Sequence, residues 1–301
     1  MGYYCGWDGG GSKTEVLCRD ECGREIGHAF FGPLNINGAP RERVAQTIAD
    51  AIGYMAEMPG GLEACRHLVI GAAGVSNVQI YTFLTEHVRG EGYTGRLSIA
   101  GDQEIALAGA IEGPGAVLIA GTGAICCGRD GCGKTTRVGG FGHLIDDGGS
   151  GYAIGRDILM AVVRAKDGRR KPTSLTEAVF AQLGVDDVSG VITWLYSAGT
   201  GKKEVAALAP LLLDALKAGD EAAGEIARAA ARELAGLAVA AWKNLGLNEG
   251  ELAMTGSVLT HYAAIREEAA AICRSACPGM QVIAPRGSAA EGAAAMAMQM
   301  E

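Results

Sequence analysis

The chain has 301 residues, of which 49% are apolar and 5% aromatic, and its formal net charge is −8. A chain of this length and apolar content can bury a full core and is expected to form two domains. The acidic balance and the few aromatic rings argue against a nucleic-acid binder, which needs a basic face and stacking platforms.

The nine cysteines are odd in number and scattered along the chain, a pattern typical of reduced cytosolic thiols and not of a disulfide framework. Charged residues interrupt the longest apolar stretches, and the N-terminus has no apolar signal core. We therefore expect a cytoplasmic protein that uses no membrane span.

An acid, three glycines and two hydroxyl residues stand near the start of the chain, in the order Asp8, Gly9, Gly10, Gly11, Ser12, Lys13 and Thr14. Extended runs at 15–20 and 25–31 follow, so these glycines are predicted to form the bend of a β-hairpin. Residues without side chains let backbone N–H groups approach an anion closely. Ser12 and Thr14 can add hydroxyl donors, Lys13 a point charge, and Asp8 can hold a metal through water.

The remainder of the first half alternates between helix and strand. Val44, Ile48, Ile52 and Met55 fall at helical spacing. Strands are predicted at 67–73 and 96–100, with helices at 77–89 and 104–112. A Gly-Pro-Gly break at 113–115 then ends this first unit.

The pattern restarts after the break. A strand at 116–120, a second turn of Gly121, Thr122 and Gly123, and further strands at 124–128 and near 137 are predicted. Helices are expected from about Ser150, from Ser174 with Glu177 as capping-box partner, from Glu204, and over 220–245. Strands at 251–255 and 281–284 flank a helix near 259–276, and a terminal helix covers 290–299.

Two units that each open with a glycine-turned hairpin suggest a duplicated α/β fold. Six motifs occur in the expected order, at 8–14, 32–35, 100–102, 121–123, 139–151 and 255–257. On these motifs the chain resembles the BadF/BadG/BcrA/BcrD group, which includes N-acetylglucosamine kinases, within the actin/hexokinase/heat-shock ATPase superfamily. The resemblance implies an actin-like, ribonuclease H-like ATPase fold with two domains around a nucleotide cleft. We place these domains at 1–112 and 113–288, and the helix at 289–301 is expected to pack back on the first.

The resemblance also implies ATP and Mg²⁺ as cofactors. The γ-phosphate end of the nucleotide would lie on the first turn and its other side on the second, with the metal oriented by Asp8 through water. The adenosine loop corresponds to Gly256 and Ser257, which follow a predicted strand.

The general base of the resembling family falls on Asp102. A carboxylate directly after a strand is well placed to accept a proton from an attacking hydroxyl. The alternative is a helix N-cap, because Asp is favoured there.

Sugar contacts are implied for Asn35, Gly140, Phe141 and Asp147. An amide such as that of Asn35 offers both a donor and an acceptor to a hydroxyl or acetamido group. Phe141 replaces the family's Trp, and Asp146 and Gly148 replace its Gly and Glu on either side of Asp147.

Residues 128–135 match the P-loop pattern G-x-x-x-x-G-K-T. A P-loop requires a helix that starts at its Lys-Thr, but the residues that follow are β-like and then broken by glycine. We therefore interpret this match as a hairpin tip with a solvated Lys134.

These features predict a kinase that acts on an amino sugar, as a homodimer by resemblance. Two alternatives stay open. An activator ATPase of acyl-CoA dehydratases or reductases shares the fold, but its Cys-containing segment corresponds here to 118–123, which has no cysteine. A sugar sensor without turnover would not need Asp102.

Overall fold

The computed structural model describes residues 2–36 and 38–299. These residues form two units. The first takes the chain up to Glu112 and again from Pro285 onward, and the second takes Gly113–Ala284. Each unit contains its own five-stranded mixed sheet. The duplicated α/β architecture that the sequence predicts is therefore confirmed.

The first unit begins with three antiparallel strands and continues as alternating helix and strand. Its elements are β1 (Tyr3–Gly9), β2 (Thr14–Asp20), β3 (Glu25–Phe31), α1 (Arg41–Ala56), β4 (Cys65–Ala72), α2 (Val78–Gly90), β5 (Arg96–Gly101) and α3 (Asp102–Ala110). The strand order is β3-β2-β1-β4-β5. Because β1, β4 and β5 run parallel, their carboxyl ends meet at one edge of the sheet.

Helix α1 shows why the apolar spacing of this region specifies its structure. Val44, Ile48, Ile52 and Met55 recur at three- and four-residue intervals, and all four are buried against the sheet side of the unit's core. The core also takes in Trp7 of β1, which is fully buried. The helical pattern predicted for this segment is confirmed.

The terminal helix α12 (Ala289–Gln299) packs against α3, β1 and β4 of the first unit. Glycines allow the close approach, since a β-carbon placed on Gly6 would lie 2.2 Å from the backbone N of Ala294. The sequence-based boundary left 285–288 in the second domain, and the structure assigns them to the first. The reason is that this segment is hydrogen-bonded to the end of α3. The backbone N–H groups of Arg286 and Gly287 donate to the carbonyls of Ala110 and Gly109.

The second unit repeats the hairpin opening and then becomes largely helical. Its elements are β6 (Gly115–Ala120), β7 (Ala124–Arg129), β8 (Thr135–Gly139), α4 (Gly151–Lys166), α5 (Leu175–Leu183), α6 (Val188–Leu195), α7 (Lys202–Ala206), α8 (Leu211–Lys217), α9 (Glu221–Leu245), β9 (Gly250–Thr255), α10 (Ser257–His261), α11 (Ala263–Ala276) and β10 (Met280–Ile283). The strand order is β10-β9-β6-β7-β8.

Helix α9 is the longest element of the second unit, and both of its ends follow from the sequence. The Asp220 carboxylate accepts the N–H of Ala223 at 3.0 Å and caps the start. Gly246 ends the helix in the left-handed region, with a φ of 68°. Between these caps, alanines and leucines form the face that is buried in the core.

Two helix predictions for this unit need correction, and two further helices were missed. The single helix expected near 259–276 is two, because the chain leaves helical geometry at Tyr262. The capping box of Ser174 and Glu177 does not form, since the Ser174 N–H and hydroxyl both donate to Asp220. Helices α6 and α8 were not predicted.

No single helix in residues 2–36 and 38–299 is long and apolar enough to cross a bilayer. The bent pair α5 and α6 meets that criterion only when the two helices are taken together.

Replacing Gly6 tests the docking of the terminal helix. Gly6→Ala should lower the free energy of unfolding by about 1–3 kcal/mol, because the added methyl meets the backbone of α12. Gly53→Ala is the matched control. Gly53 lies in α1 with open space around it, so this variant should gain up to about 1 kcal/mol. Urea denaturation measures both, and equal effects would contradict the close packing.

Candidate active site

The first glycine turn joins β1 to β2, as the sequence predicts. Gly10 donates its N–H to the Lys13 carbonyl at 3.0 Å. The backbone N–H groups of Gly11, Ser12 and Lys13 make no hydrogen bond to any described residue, and all three residues are exposed. A run of exposed, unbonded N–H groups is the arrangement that binds an anion.

Thr14 has a different role from the one predicted. Its side chain is fully buried, and its hydroxyl donates to the Gly32 carbonyl at 2.8 Å. A hydroxyl has one proton to donate, and that of Thr14 is taken up by Gly32. The Thr14 side chain therefore holds the hairpin against the following loop. This corrects its predicted part as a phosphate donor.

The loop that carries Asn35 is tied to the same turn. The Gly10 carbonyl accepts N–H bonds from Leu34 at 3.0 Å and from Asn35 at 3.3 Å. The predicted sugar-contacting amide therefore belongs to a loop whose backbone is fixed directly to the glycine turn.

Asp8 is the partly buried acid at the end of β1. It stands opposite Glu15 in the register of β1 and β2. The pKa of Asp8 is raised to about 6, chiefly by burial and also by the nearby carboxylates of Glu15 and Asp102, while Lys13 opposes the shift. The site accumulates negative charge at one point, so a cation placed there would relieve the repulsion.

Asp102 is the first residue of α3, directly after β5. The N-cap position is occupied by Gly101, whose N–H donates to the Glu104 carboxylate at 3.3 Å. The Asp102 side chain is exposed and accepts the N–H of the adjacent Gln103 at 3.0 Å. The N-cap explanation of this aspartate is therefore wrong.

Strand register brings these groups to one edge of the first sheet. Gly9 of β1 pairs with Ala72 of β4, and Ala72 pairs with Gly101 of β5. The glycine turn, Asp8 and Asp102 thus share the edge at which the three parallel strands end. Asn35 joins them through its backbone bond to the turn.

No group of three or more His, Cys, Asp or Glu side chains suited to a metal occurs among the described residues. Mg²⁺ is usually held by one or two carboxylates together with substrate phosphates and water. Asp8 could be such a single ligand. The neighbouring negative charges of Glu15 and Asp102 would favour a cation at its carboxylate.

The second glycine turn joins β6 to β7 in the other unit. Gly121 donates its N–H to the Gly123 carbonyl at 2.9 Å. The start of α4 holds the turn from outside, because Gly151 and Tyr152 donate N–H bonds to the carbonyls of Gly121 and Thr122. The N–H groups of Thr122 and Gly123 make no hydrogen bond within the described chain.

Gly256 lies against the same turn. Its φ is 93°, and a β-carbon there would be 2.4 Å from the Ala120 carbonyl oxygen. Only glycine fits both constraints. Gly256 therefore packs on Ala120, the strand residue directly before the turn of Gly121, Thr122 and Gly123.

Asp147 is a buried residue of the glycine-rich loop, and its sugar contact stays a prediction. It is 2% exposed, and its two carboxylate oxygens accept the Ala124 N–H at 3.2 Å and the Lys202 ammonium at 2.7 Å. Gly140 and Phe141 lie elsewhere on the loop, where Arg137 donates to the Gly140 carbonyl and stacks on the Phe141 ring. Sugar contact by Gly140 and Phe141 likewise stays a prediction.

Lys202 is a residue of this site that sequence reasoning missed. It comes 55 residues after Asp147 and belongs to a short helix of ordinary composition. No local spacing or motif in the sequence points to it.

The P-loop match is confirmed as a false one. The turn at 130–134 is held by the Asp130 carboxylate, which accepts the N–H groups of Cys132 and Lys134. Strand β8 begins at Thr135, so no helix N-terminus follows Lys134.

Comparison with known proteins assigns the chain to a family. The model of the BadF/BadG/BcrA/BcrD ATPase family matches residues 5–297. An N-acetylmuramic acid/N-acetylglucosamine kinase of Clostridium acetobutylicum is 32% identical over 301 residues, which cover 99% of this chain and 98% of that protein.

Two solved structures show the same fold. A proposed N-acetylglucosamine kinase from Chromobacterium violaceum has a TM-score of 0.78 and 25% identity, with 98% of this chain and 99% of the other covered. A ROK family glucokinase from Streptomyces griseus, in complex with glucose and AMPPNP, has a TM-score of 0.62 and 20% identity, with 99% and 100% covered.

The fold is accordingly that of the actin-like ATPases and ROK sugar kinases. The chain belongs to the BadF/BadG/BcrA/BcrD ATPase family.

The raised pKa of Asp8 makes a prediction about stability in the absence of nucleotide and metal. Well below the unfolded pKa of about 4 the carboxyl is protonated in both the folded and the unfolded state, so its charge has no effect. The destabilisation by Asp8 grows as the pH rises from there to the folded pKa of about 6 and is complete above it. Asp8→Asn should therefore raise Tm at pH 7.5 and leave it almost unchanged at about pH 3.

Thermal melts across this pH range check the effect. Glu86→Gln is a suitable control, because Glu86 is an exposed carboxylate on α2 without a partner in the described chain. A pH-independent difference between Asp8→Asn and the native protein would contradict the assigned repulsion.

Proposed function

We propose that the protein transfers the γ-phosphoryl group of ATP to a hydroxyl of an amino sugar of the N-acetylglucosamine or glucosamine type. At the level of enzyme class, the predicted sugar kinase is confirmed by the Clostridium relative, which matches along essentially the whole chain. The amino-sugar substrate is the part that the relative's name suggests and that we propose for this protein.

The observation that carries the proposal is the edge of the first sheet. There the unbonded N–H groups of the glycine turn stand beside Asp8 and an exposed Asp102. Phosphoryl transfer depends on positioning and charge neutralisation, and it needs anion-binding donors, a metal anchor and a base close together.

The nucleotide phosphates are proposed to bind the backbone of Gly9, Gly10 and Gly11, the Ser12 hydroxyl and Lys13. The second turn, Gly121, Thr122 and Gly123, would offer its own free N–H groups to the nucleotide. The base would lie near Gly256 and Ser257, the first of which packs on Ala120 directly before that turn.

Mg²⁺ anchored by Asp8 would neutralise phosphate charge when the nucleotide is bound. Asp102 would accept the proton of the sugar hydroxyl. As that proton leaves, the hydroxyl oxygen bonds to the γ-phosphorus and the bond between the γ-phosphorus and the leaving ADP breaks.

The sugar is proposed to contact Asn35 and the exposed loop of Gly140 and Phe141. Asn35 offers both a donor and an acceptor, and its loop is bound to Gly10. A sugar held by this loop would therefore be fixed relative to the phosphate-binding turn. The homodimer and the cytoplasmic location stay predictions.

The activator alternative has little support in the residues. Besides the missing cysteine in 118–123, the nearest cysteines, Cys126 and Cys127, are buried in β7. Burial raises the pKa of the Cys126 thiol well above its ordinary value, whereas an iron–sulfur cluster binds thiolates.

Phosphate binding at the first turn is tested at Gly11. A β-carbon on Gly10 would lie 2.8 Å from the Lys13 carbonyl and distort the turn itself, whereas Gly11 has open space around it. Gly11→Val should keep the native Tm but weaken MgATP binding, because its side chain occupies space needed by the phosphate.

Lys134→Ala is the control for this test. It should leave the calorimetric Kd for MgATP almost unchanged, because Lys134 lies at a hairpin tip and donates to the Asn244 carbonyl. A loss on the order of 10²-fold would instead indicate a P-loop lysine, which contacts the β- and γ-phosphates.

The base is tested with Asp102→Asn, which keeps the shape and can still accept the Gln103 N–H. We expect kcat to fall by about 10²- to 10⁴-fold, the usual contribution of a positioned base. KM for sugar and ATP should change little. Because Asp102 is not the N-cap, Tm should stay close to the native value.

Glu104→Gln provides the matched control, since this neighbouring carboxylate binds a backbone N–H and takes no part in the proposed chemistry. A coupled ADP-release assay with N-acetylglucosamine and glucosamine measures kcat for each variant. Near-native turnover by Asp102→Asn would refute its assignment as the base.

A further inference from the structure

Asp147 and Lys202 form a partly buried ion pair that the proposed chemistry does not use. The ammonium lies 2.7 Å from Asp147 Oδ2, and the Lys202 side chain is 31% exposed. The other carboxylate oxygen, Oδ1, accepts the N–H of Ala124, the first residue after the second glycine turn. The pair therefore connects a distant helix to this turn.

The conformation of Asp147 is an unfavourable one that its surroundings impose. Among the described residues it is the only non-glycine residue with a positive φ, at 62°. A buried carboxylate also loses its hydration and needs an opposite charge and hydrogen bonds to remain ionised. Lys202 supplies the opposite charge and Ala124 a hydrogen bond. Because the positive φ and the burial of the carboxylate both cost free energy, we interpret the arrangement as one that holds the turn in place.

Close packing between helices α4 and α7 places Lys202 next to Asp147. Lys202 is the first residue of α7, whose start is held by the Glu204 carboxylate on the Gly201 N–H at 2.8 Å. Helices α4 and α7 touch through their backbones, since a β-carbon on Gly155 would lie 2.0 Å from the Val205 carbonyl oxygen.

The pair lies directly against the backbone of the turn. A β-carbon on Gly123 would be 3.0 Å from both Asp147 Oδ2 and the Lys202 ammonium. The turn is thus fixed through its carbonyls by α4 and through the Ala124 N–H by Asp147. The N–H groups that remain unbonded are those of Thr122 and Gly123.

We propose that Lys202 and Asp147 are positioning residues for the nucleotide: the ion pair fixes the turn so that the Thr122 and Gly123 N–H groups are presented to a phosphate. This inference rests on the proposed nucleotide-binding role of the turn.

Lys202→Met leaves the carboxylate of Asp147 buried without a counter-charge. The Kd for MgADP should rise about tenfold, within the range that loss of a supporting residue costs a ligand site. KM for ATP should rise with it, while KM for the sugar stays unchanged. Lys202→Arg should recover most of the affinity, because it restores the charge.

Lys203→Met is the matched control. Lys203 is the next residue on the same helix and is exposed, and its side chain makes no hydrogen bond or ion pair within the described chain. Nucleotide affinity should be native in this variant. An equal loss in both lysine variants would refute a specific role for the pair.

The double variant Lys202→Met/Asp147→Asn separates positioning from direct contact. The asparagine carbonyl can still accept the Ala124 N–H, and no buried charge is left unpaired. The double variant should therefore bind MgADP better than Lys202→Met alone. If Lys202 itself contacts a phosphate, the double variant will be no better, and the positioning role is refuted.

The rate of amide hydrogen exchange in the segment 118–126 measures how firmly the turn is held when no nucleotide is bound. Exchange should be faster in Lys202→Met than in the native protein and in Lys203→Met, and unchanged exchange would overturn the inference. If the native protein bound MgADP but phosphorylated no amino sugar, the proposed function would fail while this inference stood.

Discussion

Backbone N–H groups without protein partners are the constraint around which both units are arranged. In each unit a hairpin bends through glycines and leaves such groups exposed, at Gly11 to Lys13 and at Thr122 and Gly123. Folded chains normally pair their backbone donors or leave them to water. Here the carbonyls of both turns are bound to neighbouring segments, which fixes the free donors in place for a ligand that carries negative charge.

The fold could be predicted because its signals are local. Hairpin glycines between extended runs, the three- and four-residue spacing of α1, and the break after residue 112 each depend on a few neighbouring residues. The strand ends of the first sheet follow from the same information, since parallel strands carry Asp8 and Asp102 to a common edge. The candidate base was assigned from the family resemblance, since the position of Asp102 alone also suited a helix N-cap.

The roles of individual side chains depended on partners that are distant in sequence. The Thr14 hydroxyl donates to the Gly32 carbonyl, and the Asp147 carboxylate accepts from Lys202, 55 residues later. Asp102 lies one position inside the helix because Gly101 takes the cap. Residue type predicted that each of these groups would make a polar contact, but only tertiary structure determines with which partner.

The return of the terminal helix to the first sheet has a consequence for synthesis of the chain. Helix α12 packs on β1, which is synthesised long before it, whereas the second unit is continuous in sequence. Since domains generally fold as units during synthesis, the first unit must wait with an uncovered sheet until α12 has been synthesised. The second unit can complete its own core earlier, so the order of folding is the reverse of the order in which the two units begin.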